Sequence, residues 1–170
     1  ALRQVRNPDL PRELLASSLQ DCLDELRVAV DSLDEQERDP LSLLGSLRFR
    51  MAPRFESVGM RLEWKVADDL PDLPMLDASG ALHLLRIVQE ILGNALKHSH
   101  ATLVTLSLTQ NNGAAVIAIV DNGRGFDPST VSQGRGLGHL QTRAAQLGAQ
   151  LHWLTAPVGA SVKLTLPNAD

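Results

Sequence analysis

The chain has 170 residues, 44% hydrophobic and 21% charged, with a formal net charge of −4. That size suits one domain with a sizeable core plus an appendage, and the acidic balance argues against a general nucleic-acid surface. A lone cysteine, Cys22, excludes an internal disulfide and fits a reducing compartment.

No run of about 18 apolar residues occurs and no signal peptide opens the chain, so no spanning helix is expected within it. Residues Ala1 to Pro11 are polar and lead into a helix from Arg12 to Leu33. Its seam of Leu15, Leu19, Cys22, Leu23, Leu26, Val30 and Leu33 calls for a partner helix, in a dimer or from a preceding segment; packing on the following domain is the plainer alternative. The charged break from Asp34 to Pro40 marks a boundary, giving segments 1–39 and 40–170. A helix is expected from Leu41 to Ser57, with Pro53 casting its last turn in doubt. Met60 to Val66 alternates as a half-buried strand, Asp68 to Pro74 is a loop, and the central helix runs from Asp77 to His98.

Strands at Leu103–Thr109 and Ala114–Val120 are joined by Asn111-Asn112-Gly113, a hairpin signal. Asp121-Asn122-Gly123-Arg124-Gly125 follows directly. Gly134-Arg135-Gly136-Leu137-Gly138 opens a helix with Leu137, Leu140, Ala144 and Leu147 on one face, stopped by Gly148. Strands at Gln150–Thr155 and Ser161–Leu166 close the chain around a turn at Pro157-Val158-Gly159. Three amphipathic helices interleaved with these strands predict a two-layer α/β sandwich, α+β in type, with a mixed sheet on one side.

Three stretches carry chemistry. On the central helix, Glu90, Asn94 and Lys97 fall on one side while Leu84, Val88, Ile91, Leu92 and Ala95 face a core. A carboxylate, a carboxamide and an ammonium on one stripe suit a magnesium-bound polyphosphate: the amide oxygen for a hard cation, the ammonium for phosphate, the carboxylate for a proton or water. A solvated polar face is the bland alternative. Next, Asp121 ends a strand and is followed by Gly123 and Gly125, which leave room for a flat ligand; the carboxylate would accept from an exocyclic amine, or serve only as an Asx-turn residue. Last, the Gly134, Gly136 and Gly138 amides before a helix make a weak anion signal. No Walker A loop or dinucleotide fingerprint occurs. His98 and His100 lack a third ligand at zinc spacing, so His98 is read with the central-helix chemistry and His100 as a surface residue.

Taken together and in this order, Glu90 to His98, Asp121 to Gly125 and Gly134 to Gly138 resemble the N, G1 and G2 boxes of the ATP-binding catalytic domain of sensor histidine kinases, in the superfamily of gyrase, Hsp90 and MutL. The resemblance covers Leu41 to Pro167. The Asn-Ala-Leu-Lys-His form, the short lid and Gln141-Thr142-Arg143-Ala144 are most similar to the nitrate and desiccation-sensor branch.

The resemblance implies the Bergerat ATP-binding fold, with ATP and Mg2+ as cofactors and transfer of the γ-phosphate to a histidine outside this segment. Asn94 would be the magnesium ligand and Glu90 the catalytic carboxylate. Lys97 and His98 would lie near the phosphates. Asp121 would hold the adenine amine, with Gly123 and Gly125 giving room. Gly134, Gly136, Leu137 and Gly138 would form the closing lid end. The family's Gly-Thr before the last strand is replaced by Gly159-Ala160-Ser161, so either Ser161 substitutes for that Thr or its contact is lost. No phosphoacceptor box is present, and Arg12 to Leu33 resembles the second helix of a dimerisation and phosphotransfer hairpin whose first helix is expected before Ala1. The implied partners are a response regulator with a LuxR-type output domain and a second copy in the full-length homodimer, with no direct nucleic-acid contact. The implied setting is the cytoplasmic side of an inner-membrane sensor. A non-catalytic, anti-sigma-factor-like ATP-binding interaction module on the same fold is the alternative.

Overall fold

In a computed structural model the described residues are 40–68, 70, 76–125, 135–155 and 159–167. The predicted helix from Arg12 to Leu33, the boundary at residue 39, Gly134 and most of the Pro157 turn lie outside them. The described chain runs α1 (Pro40–Glu56), β1 (Arg61–Val66), α2 (Ala78–His98), β2 (Leu103–Asn111), β3 (Ala114–Asp121), α3 (Arg135–Gln146), β4 (Gln150–Thr155) and β5 (Ala160–Thr165).

The five strands form one mixed sheet in the order β1-β2-β3-β5-β4. β1 pairs parallel with β2, across the α2 crossover, and the other neighbours are antiparallel. Alternation sets the faces. Val104, Leu106, Leu108, Ala115, Ile117, Ile119, Val162 and Leu164 are buried toward the helices, while Thr105, Ser107 and Lys163 take the opposite parity. A two-layer α+β sandwich therefore forms, as the periodicity predicts.

Helix α1 passes through Pro53 and ends only at Glu56, so the doubtful last turn is helical. Its anchors are Met51 and Phe55, 2% and 0% exposed; full burial of such a side chain contributes about 1.5–3 kcal/mol each, enough to offset the roughly 3 kcal/mol cost of an internal proline. The turn closes with Gly59 N donating to Glu56 O and Met60 N to Phe55 O, both at about 3 Å, the paired bonds of a Schellman end. Gly148 and Ala149 end α3 the same way, donating to Ala145 O and Ala144 O.

Helix α2 is the spine. Asp77 caps it, its carboxylate accepting from Gly80 N at 2.7 Å. Ala81, Leu84, Leu85, Ile87, Val88, Ile91, Leu92 and Ala95 are all buried, so α2 touches the sheet and both other helices. Its polar residues Arg86, Gln89, Glu90, Asn94, Lys97 and His98 stay half-buried or exposed.

Candidate functional site

The site is built where β3 ends, against the C-terminal half of α2. Five hydrogen bonds, three of them from the Asn122 side chain, stitch the loop after β3 in place. Asn122 Oδ1 accepts from Thr102 N and Leu103 N, each at 2.9 Å, and Asn122 Nδ2 donates to Thr102 Oγ1. Arg124 N donates to Ser99 O at 2.9 Å, and Gly159 N to Gly123 O at 2.7 Å. The loop is thus tied to the end of α2, the start of β2 and the start of β5 at once.

Gly123 is needed for that closeness. A Cβ there would fall on the Ser99 carbonyl oxygen. Gly159 has φ +78°, and a Cβ on it would fall on the Asp121 carbonyl oxygen. Backbone packing thus requires Gly123, which is not among the residues lining the cavity described next. Gly125, at φ +83°, does line the cavity described next.

Asp121 emerges from this mesh half-satisfied. Its Oδ1 accepts from Gly123 N at 2.9 Å and Ala160 N at 3.3 Å. Its Oδ2 makes no hydrogen bond with a described residue. Asp121 borders a cavity of about 430 Å³ whose other walls are Glu90, Ile91, Asn94, Ala95, His98 and Ser99 from α2 and its end, Ile119 from β3, Arg124 and Gly125 from the loop, Leu137 from α3, and Trp153, Ala160 and Val162 from β4 and β5. The floor follows from register: Ile119 pairs with Val162, and Val162 with Trp153, so three inward side chains lie in one row across three strands. One carboxylate set in a mainly apolar floor suits a flat heterocycle with one polar edge. A polar stripe of carboxylate, carboxamide and imidazole lies on the facing helix.

The structure brings together Glu90, Asn94, His98, Asp121, Gly125 and Leu137. Lys97, predicted beside Asn94, instead borders a neighbouring cavity with Glu90 and Gly93. Ser161 sits on the other face of β5, paired with the exposed Val120 and Leu154. Strand parity gives its expected place to Ala160, which carries no hydroxyl. Gly138 is exposed, with open space where a Cβ would project; Gly136 lies within the first turn of α3. His100, with φ 54°, is exposed in the turn after α2. Sequence reasoning did not single out Trp153, Ile119, Val162, Ala160 or Arg124; inward parity marks the first three as core, and only pairing shows that they share a floor.

Among the described residues no group of three or more His, Cys, Asp or Glu side chains converges to hold a metal. Glu90 and Asn94 offer hard oxygen donors on the cavity wall. Such a pair fits Mg2+ that keeps several waters and takes its other ligands from phosphate.

Residues 80–170 match the family model described as histidine kinase-, DNA gyrase B-, and HSP90-like ATPase. The signal transduction histidine-protein kinase/phosphatase UhpB of Salmonella typhimurium is 31% identical over 147 residues, 85% of this chain and 28% of that protein. The sensor protein VraS of Staphylococcus saprophyticus is 37% identical over 87 residues, 50% of this chain and 25% of that one. The chain thus spans about a quarter of the length of these relatives. In fold it is similar to the histidine kinase domain of the Erythrobacter litoralis EL346 blue-light activated kinase, with TM-score 0.66, 22% identity and coverage of 88% and 74% of the two chains. Acinetobacter baumannii AdeS gives TM-score 0.68 at 15% identity, covering 99% and 90%.

Proposed function

The chain belongs to the histidine kinase-, DNA gyrase B- and HSP90-like ATPase family, and from that premise we propose that it is the ATP-binding kinase domain of a two-component sensor. It would transfer the γ-phosphate of ATP to a histidine outside these residues, for relay to a response regulator. The observation that carries the reading is Asp121: one carboxylate oxygen engaged by two backbone amides, the other without a hydrogen-bond partner among the described residues, at the edge of an apolar cavity. That arrangement fits an exocyclic amine, with the base lying on the row of Ile119, Val162 and Trp153.

Across the cavity, Asn94 offers an amide oxygen to Mg2+, which supplies charge neutralisation of the triphosphate when bound. Glu90 can accept the proton of an attacking imidazole or orient it. His98, two turns beyond Glu90, can meet the phosphates. Phosphoryl transfer depends mostly on positioning and charge, and the stitched loop keeps Asp121 fixed while the reactive end assembles.

The finer parts of the proposal follow from the family resemblance. Residues 1–39 supply the second helix of a dimerisation and phosphotransfer hairpin. The full-length protein is a homodimer whose regulator carries a LuxR-type output domain, and the domain works on the cytoplasmic side of an inner-membrane sensor. No helix among the described residues is long and apolar enough to cross a membrane. The direct test is calorimetry with ATP and Mg2+, followed by labelling of a supplied helix hairpin bearing the phosphoacceptor. Absence of nucleotide binding would reject the proposal.

A further inference from the structure

A second cavity, of about 180 Å³, lies between the three helices and shares Glu90 with the first. Four cationic side chains line it: Arg54 from α1, Arg86 and Lys97 from α2, and Arg143 from α3, with Gln89 beside them. Glu90 is the one carboxylate among its described lining residues. In a chain with 16 basic and 20 acidic residues, that concentration of positive charge runs against the overall balance.

Two of the four carry the argument. Arg86 Nε is buried with no hydrogen-bond partner among the described residues, although a buried donor left so costs about 1–3 kcal/mol. The Arg143 guanidinium makes no hydrogen bond or ion pair with a described residue. Guanidinium forks reaching one small space from two helices repel one another unless an anion lies between them. They match the geometry of a tetrahedral oxyanion, each presenting parallel N–H donors to two oxygens. The cavity is too small for a stretch of peptide and large enough for one phosphoryl group.

We propose that this cavity is a phosphoryl-group site, with Arg86 and Arg143 as its principal donors. Two sources share that chemistry: the terminal phosphate of a nucleotide in the first cavity, reaching past Glu90, or free inorganic phosphate. The first source rests on the nucleotide reading; the second does not.

Calorimetric titrations of the chain with inorganic phosphate, with ADP, and with a non-hydrolysable ATP analogue separate them. The set is repeated on Arg86→Gln, Arg143→Gln and, as a charge control on the far face of the sheet, Lys163→Gln. Loss of one charge-assisted contact weakens binding about tenfold or more. If the nucleotide supplies the group, both arginine variants weaken the analogue and leave ADP unchanged. If free phosphate supplies it, phosphate binds the unmodified chain with or without ADP and the arginine variants lose it. Lys163→Gln changes neither. Arg143→Lys keeps the charge without the fork and falls between, which carries the test if Arg86→Gln does not fold. Failure of ADP to bind the unmodified chain rejects the nucleotide reading alone, and the phosphate titration still decides this one. No phosphate binding, together with arginine variants that treat ADP and the analogue alike, overturns the proposal.

Discussion

Replacing Asp121 with Asn changes one heavy atom and should remove measurable ATP binding. In the native loop Oδ1 accepts from Gly123 N and Ala160 N, and Oδ2 is left for the base. If the Asn oxygen keeps the two backbone bonds, its NH2 faces the exocyclic amine, donor against donor. If the amide flips, its NH2 faces two backbone N–H groups. The charge-assisted bond is worth about 1.5–3 kcal/mol, and an opposed donor pair costs roughly another 1–3 kcal/mol. Together these give about 2.5–6 kcal/mol, or roughly two to four powers of ten in Kd. Calorimetry with ATP and Mg2+ reads the loss, and circular dichroism checks that the loop still folds. A folded Asp121→Asn protein that binds ATP with native affinity would refute the assignment of the base to this cavity.

Asn94→Ala should weaken ATP binding about tenfold in the presence of Mg2+ and change little in its absence, since Asn94 is only half-buried on the cavity wall; equal effects with and without Mg2+ would remove it as a ligand. Gly123→Ala should lower unfolding free energy by at least about 2 kcal/mol, because the new methyl lands on the rigid Ser99 carbonyl and the backbone must shift; an unchanged urea midpoint would contradict the close packing. Nucleotide should alter the emission of Trp153 on the cavity floor, and Trp153→Phe should abolish that response, because Trp64 lies on β1 at the opposite edge of the sheet. Radiolabelled ATP should leave no phosphohistidine on this chain, since His98 lies on the binding helix itself, out of line for attack, while a supplied phosphoacceptor hairpin should take up label; strong self-labelling would show that the acceptor has been misplaced.

Periodicity made the elements legible, because apolar spacing reports which face of a segment is buried. The α1 and β4 boundaries agree with the sequence reading to within a residue. Pro53 misled it, since local propensity carries no knowledge of where Met51 and Phe55 are buried. Strand neighbours were not legible either. Alternation along β4 and β5 assigns inward and outward residues but not that β5 inserts between β3 and β4. The row from Ile119 through Val162 to Trp153 exists only once that order is known. The misplacement of Ser161 has the same origin: a shift of one residue along a strand exchanges its faces.

The polar stripe on α2 shows how far helical geometry alone could have gone. At about 100° per residue and with Glu90 set at zero, Asn94 lies near +40°, His98 near +80° and Ile91 near +100°. Lys97 lies near −20°, Arg86 near −40°, Gly93 near −60° and Gln89 near −100°. The first group borders the large cavity and the second the small one. Glu90 stands on the dividing line and borders both. A search for one functional face merges Lys97 with Asn94, because the two are only about 60° apart. The sheet floor lies to one side of Glu90, and α1 and the flank of α3 to the other. Those neighbours divide one stripe into an apolar, base-sized cavity and a cationic, phosphoryl-sized one. Glu90 alone of this stripe borders both cavities, a position that neither Asn94 nor Lys97 shares.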